Sequence, residues 1–254
     1  MSYGAGTRAH GAAVDEGLRA HMLKVYNYMT LGLVVAGLSS WYGFNLMFAP
    51  ADQAVAFLPG NEVWGLTDLG VLVYATPLRW LIMLSPIGFF LAMRAGLTNF
   101  SLVGIQAIFW SFAAVIGFST GYILATYTGE SIVRVFFIAA SMFGVMSLYG
   151  YTTKRSLSGL FPFLMMGTIG LFAAMFINVV FLESSAMMVG ISLIGVGLFV
   201  LWIAFDTQMI KNVYLGSREN EDAVAKLAII GAAHLLLDFI NLFVFLMHLL
   251  GNRN

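Results

Sequence analysis

Seven apolar runs, each long enough to cross a bilayer, constrain this chain more than any other feature. They lie near 25–48, 79–98, 102–127, 132–151, 160–182, 187–206 and 227–250. A helix needs about 20 apolar residues to span the hydrocarbon core. Backbone in lipid must satisfy its own hydrogen bonds, so each run is read as a helix. Strands of a membrane barrel would show as alternating segments of ~10 residues, and none are seen. Composition agrees: 60% of residues are hydrophobic and 9% charged, where a soluble domain carries about 25% charged. The reading is an all-α membrane protein with a cytoplasmic N-terminal tail, 1–24, and a seven-helix transmembrane domain, 25–250. The tail carries Arg8, Asp15, Glu16, Arg19 and Lys24 before any apolar run, the wrong layout for a signal peptide.

The longest connection, 49–78, holds Asp52, Glu62, Asp68, Pro50, Pro59 and Pro77 and no Lys or Arg. Within it, 69–76 is either an interfacial segment or an early start of the second helix. Lys and Arg favour the cytoplasmic side. With the N-terminus inside, Arg8, Arg19, Lys24, Arg94, Lys154, Arg155, Lys211, Arg218 and Lys226 fall inside, and Arg79, Arg134 and Arg253 outside. Seven crossings leave the C-terminus outside; a re-entrant last helix would return it inside. Small residues at helical spacing (Gly117 and Gly121, Ala140 and Gly144, Gly167 and Gly170, Gly195 and Gly197) read as packing seams. There is no Cys, so thiolate chemistry is excluded. A net charge of zero gives no argument for nucleic acid. Four His residues leave little for a metal cage.

Against this background Asp238 stands out, near the middle of AAHLLLDFINLFVFLMHLL at 232–250. A charge at mid-bilayer costs roughly 2.5–3.5 kcal/mol on insertion scales and persists where it faces a polar interior. At 100° per residue, His234, Asp238, Asn241 and His248 share one stripe of the helix. Asp206 closes the sixth run in LWIAFDTQMIKN, and Arg94 closes the second in FFLAMRAG. Asp238 reads first as functional. The plainer alternative is a neutral acid bridging helices, with His234 as its local partner. For Asp206 both readings stay open. Arg94 alone is an ordinary topology charge, and His234 and His248 alone are satisfied bundle residues. Glu130 and Arg134, spaced i, i+4, read as a surface pair.

LDFINLF at 237–243 and FDTQMI at 205–210 resemble signatures of the Bax inhibitor-1 family. SLYGYTTKRSLS at 147–158 and HLLGNR at 248–253 are similar to its bacterial branch. The resemblance runs from about residue 20 to the end. It implies a seven-helix bundle whose central last helix is wrapped by two groups of three. It also implies a calcium leak gated by an aspartate pair that senses pH. Asp206 and Asp238 match that pair. Arg94 matches, by position, an arginine that latches the first of them. Phe205 stands where relatives more often have Tyr. His234 stands where a small or apolar residue is expected, and adds a titrating group with an ordinary pKa of about 6.5. Paired carboxyls in an apolar setting cannot both ionise cheaply and titrate as a unit. Calcium takes oxygen ligands, and Asp206, Asp238 and Asn241 offer side-chain oxygens to the permeating ion. No cofactor is expected.

Two other classes compete. Intramembrane aspartyl proteases also pair aspartates on spans six and seven, but their GxGD and PAL motifs are missing here, and no nucleophile has a base at hand; the chain is read as no enzyme. The stronger rival is a non-conducting protein that binds and regulates a membrane quality-control protease through the tail and the 217–222 loop, SRENED. The bacterial-type motifs point to a bacterial inner membrane, with lipid and calcium as the other partners.

Overall fold

The structure is a computed structural model that describes residues 3–57, 63–217 and 219–254, with side chains from Glu16 onward. The side chains of Arg8 and Asp15, and Pro59, Glu62 and Arg218, lie outside the described residues. The chain is helical almost throughout. Helix α1 (Tyr3–Met47) leads to a small hairpin of β1 (Phe48–Pro50) and β2 (Trp64–Leu66). Next come α2 (Asp68–Gly70) with a wider π-type turn over Val71–Ala75, α3 (Leu78–Asn99), α4 (Leu102–Ser119) and α5 (Tyr122–Thr126). The remainder is α6 (Gly129–Thr152), α7 (Phe161–Ile177), α8 (Ser185–Ser217) and α9 (Glu221–Leu250). Side-chain oxygens of Ser101, Thr128 and Asn220 accept from Gly104 N, Ser131 N and Ala223 N and start α4, α6 and α9.

Among the described residues six helical segments are long and apolar enough to cross a membrane: Leu78–Asn99, Leu102–Thr126, Gly129–Thr152, Ser158–Leu182, Ser185–Ser217 and Glu221–Leu250. The first expected span, 25–48, falls in α1 up to Met47, and Phe48 already belongs to β1. Tyr26, Asn27, Tyr28, Ser39, Ser40, Tyr42 and Asn45 dilute its apolarity. α1 is continuous from Tyr3, so the stretch read as a tail forms a single helix with that first span. In α9, 67% of the most apolar window is buried, against 44% in α8 and 11% in α3 and α7. The last helix is therefore the interior one.

The 49–78 connection is more structured than its composition suggests. β1 and β2 pair antiparallel, Phe48 opposite Leu66. Residues 69–76 form the separate short helical segment of α2 and the π-type turn, ahead of α3. Tyr74 donates to Ser119 O at 3.0 Å. Met47, Phe48, Leu66, Val73 and Ala125 make a small apolar cluster there.

α9 runs the length of the bundle. Near its start Lys226 Nζ donates to Leu97 O at the end of α3 (3.4 Å). Past its end the chain pairs with the α5–α6 connection. Asn252 O accepts from Thr128 N (3.0 Å), and Asn254 N donates to Thr126 O (3.0 Å). Asn252 N donates to Ser131 Oγ (2.9 Å). The last helix is one continuous element from Glu221 to Leu250. The Glu130–Arg134 ion pair is also absent among the described residues. Arg134 Nη2 instead donates to Leu250 O (3.4 Å), which sets a cation at the C-terminus of α9.

Only some of the expected small-residue seams are contacts. A Cβ on Gly117 would lie 2.2 Å from Ala36 O, and one on Gly121 2.9 Å from Phe44 N, so this pair seats α1 on the fourth helix and its extension. Gly167 faces Leu198 and Gly195 faces Phe245, while Gly144, Gly170 and Gly197 meet nothing within 4 Å. α6 comes close to the backbone of α8 at Gly150, where a Cβ would lie 2.2 Å from Ala204 O.

Below the expected spans, α1 and α8 meet through His21, which is 5% exposed and stacks on Tyr214 with ring centroids 4.7 Å apart. Its Nδ1 has no partner among the described residues. Burial, with Lys24 adding to it, lowers the His21 pKa to about 4. Unfolded, this imidazole takes up its proton near pH 6.5; folded, only near 4. The contact therefore loses stability as pH falls from 6.5 toward 4. Thermal melts across that range are expected to contain an acid-destabilised component that His21→Phe removes. An unchanged pH profile in the variant would refute this.

Candidate functional site

Each α-helical residue turns about 100° from the one before, and 205–208 use this to reach four neighbours. Phe205 stacks on Phe161 (5.8 Å) at the start of α7 and packs against Trp202. Thr207 Oγ1 shares a hydrogen bond with Ser147 Oγ of α6 (3.0 Å), which shares another with Tyr26 OH of α1 (2.6 Å). Gln208 clamps the α6–α7 connection: Oε1 accepts from Leu157 N (2.7 Å) and Nε2 donates to Arg155 O (2.9 Å). Asp206 alone turns to α9.

Asp206 is 2% exposed and Asp238 5%. The two carboxyls are neighbours across α8 and α9, close enough to interact electrostatically. Asp238 Oδ2 has no hydrogen-bond partner among the described residues. His234, one turn before Asp238, places Nδ1 3.3 Å from Asp206 Oδ2. Its ring packs on Phe90 of α3, centroids 4.4 Å apart. The site is thus a cluster of two buried carboxyls and a part-exposed imidazole, drawn from α8 and α9, with Phe90 of α3 lying against the imidazole. Among the described residues no three His, Asp or Glu side chains are placed to hold a resident metal ion.

Several sequence expectations change here. Asp206 is not at a helix end, because α8 continues to Ser217: DTQMIKNVYL contains neither Gly nor Pro to stop it. Arg94 does not touch Asp206. It is exposed and makes no ion pair among the described residues; the cationisable group beside Asp206 is His234. Asn241 is half-buried and makes no hydrogen bond among the described residues. His248 lies at the other end of the stripe, 6.5 Å from the Tyr127 ring, and is no part of the cluster. The sequence reading passed over Thr207, Gln208, Ser147 and Tyr26. Their signal was available as polar side chains at buried positions of apolar helices, which need partners.

Residues 117–121, GFSTG, carry the spacing of a hydrolase nucleophile elbow. They end a helix instead of turning out of a strand, and Ser119 Oγ donates to Ile116 O (2.7 Å). The spacing is not a catalytic site here.

The family model described as "Inhibitor of apoptosis-promoting Bax1" matches residues 18–254. An uncharacterized protein of Rickettsia prowazekii is 40% identical over 247 residues, 97% of this chain and 95% of its own length. The inner membrane protein YbhL of Escherichia coli is 36% identical over 239 residues, 93% of each chain. An uncharacterized membrane protein of Streptococcus pyogenes is 30% identical over 240 residues, 94% of this chain and 96% of its own. Matched over nearly its whole length, with LDFINLF and FDTQMI supplying the buried carboxyls, the chain belongs to the Bax inhibitor-1 family of membrane proteins.

Proposed function

We propose that this protein is a pH-responsive calcium leak of a bacterial inner membrane, gated by Asp206 and Asp238. One observation carries the reading: two neighbouring carboxyls, each nearly sealed, in the most buried helix pair of an otherwise apolar bundle. Such a pair is costly as glue, and ionisable groups inside membrane bundles mark ion and proton pathways. In this reading α1 supplies the seventh crossing, α9 is the axis, and the other six helices wrap it in two groups of three. The end rich in Lys and Arg, with the N-terminus, is cytoplasmic. Acidification protonates the pair and loosens the contact of α8 with α9. A water path then opens past Asp238, with Asn241 one turn along it. Carboxyl oxygens are the passing ligands for calcium. Arg94, one turn beyond Phe90 on α3, latches Asp206 when α3 shifts along α9.

Calcium entry into proteoliposomes of the purified protein, followed between pH 5 and 8, tests this. Flux is expected to rise on acidification, and either Asp206→Asn or Asp238→Asn to flatten that rise. Flux no greater than in empty liposomes at every pH would remove the leak reading and favour the regulator of a membrane protease. Deleting the N-terminal segment would then be the variant that matters.

A further inference from the structure

We propose that Lys226 is the tether that holds α3 against α9 and so keeps the Asp206–Asp238–His234 cluster covered; its effect on flux, though not its structural role, rests on the calcium-leak reading. Lys226 is 6% exposed, an unusual place for an ammonium. Taking such a group from water is unfavourable unless it is paired and hydrogen-bonded. Its Nζ meets Asp222 Oδ2 at 2.6 Å, one turn back on its own helix, and Leu97 O at 3.4 Å. Leu97 lies in the last turn of α3, where unpaired carbonyls and the negative end of the helix dipole favour a cation.

The register assigns this contact a second job. α3 and α9 run antiparallel. Phe90 of α3 packs on His234 of α9. Seven residues on in α3 and eight back in α9, the same two helices meet again at Leu97 and Lys226. At 1.5 Å per residue these offsets are about 10.5 and 12 Å, so both contacts belong to one seam. Lys226 closes its outer end and Phe90 its inner end. α3 packs mainly on α4 and meets α9 only along this seam, with 11% of its apolar window buried. Arg94, between the two contacts in sequence, makes no ion pair among the described residues. Lys211 does a related job for α6, donating to Tyr151 O at 2.8 Å. The two innermost helices each send a lysine to the carbonyl end of an outer one.

The chain has no Cys, so spin labels at Thr98→Cys and Glu221→Cys report the outer end of the seam without background. In full-length protein in liposomes, Lys226→Met is expected to lengthen and broaden the label-to-label distance, and Lys226→Arg to restore it. Lys226→Gln, which keeps a polar end group, should move the distance in the same direction by less. Calcium flux at pH 8 should rise on the order of tenfold in Lys226→Met, the size expected for losing one charge-assisted hydrogen bond. Flux should fall back in Lys226→Arg, and the remaining acid response should keep its midpoint. Unchanged distances in both Lys226→Met and Lys226→Gln overturn the tether. A changed distance with no flux in any variant supports the tether and rejects the leak.

Discussion

Replacing Gly150 with Ala is expected to cost about 3 kcal/mol, the upper end for overpacking a core with one added methyl, and to lower the yield of folded protein. The same substitution at Gly144, six residues earlier in the same helix, is expected to be neutral or stabilising by up to about 1 kcal/mol, since Ala is the better helix former. The contrast lies in the surroundings each new methyl meets. At Gly144 there is nothing within 4 Å, whereas at Gly150 the new Cβ would lie 2.2 Å from Ala204 O and 3.0 Å from Ala204 Cα. Backbone of a packed helix cannot turn aside as a side chain can, so α6 and α8 must separate. Separation strains the Ser147–Thr207 hydrogen bond and the reach of Lys211 to Tyr151 O. It also moves α8 two residues before Asp206. Thermal unfolding of the two variants in one detergent decides the matter: equal melting temperatures would mean that α6 and α8 can part at Gly150 with little loss.

Gly150 also marks a limit of what was legible in the sequence. Apolar runs of the right length announced the membrane-crossing helices, and carboxylates inside such runs announced Asp206 and Asp238. Those are statements about one helix at a time. Which small residue faces a neighbour's backbone depends on how each helix is rotated against the others. Ala140–Gly144 had the spacing of a seam without being one at Gly144, and Gly150 formed one without the spacing. The end of α8 was misplaced for a related reason. Polarity rises after Asp206, but polarity alone does not stop a helix, and the next Gly is Gly216. The partner of Asp206 was the hardest to read. Arg94 and His234 both sit on neighbouring helices, and helix periodicity does not say which of them faces α8. The hairpin at 48–66 was missed because its strands are three residues each, too short for alternation to register. What the sequence reading treated as a topology charge, Lys226, is a buried contact between helices.

Asp238→Leu is expected to stabilise the folded protein by about 1–3 kcal/mol, the cost of keeping a buried polar group unsatisfied, while removing the acid response of calcium flux. The two readings of this residue differ in sign. If Asp238 is there to bind helices together, losing its carboxyl removes a contact and the melting temperature falls. If it is there to titrate, the fold carries it at a loss and the apolar replacement gains stability, as happens at sites kept for function. The geometry favours the second outcome. Asp238 is 5% exposed, and its Oδ2 has no hydrogen-bond partner among the described residues. Its charged neighbour is a second carboxyl, Asp206, which already has His234 at 3.3 Å. Leu235, Leu236, Phe239 and Leu242 around it on α9 are all buried, so a leucine at 238 meets apolar company. Leucine is close to aspartate in length and fills the space without a polar atom, so the cavity term that accompanies truncation is small. A rise in melting temperature together with a flat pH profile of flux identifies a group retained for its proton. A fall in melting temperature would identify a structural bridge, and the gate would then have to be sought away from Asp238.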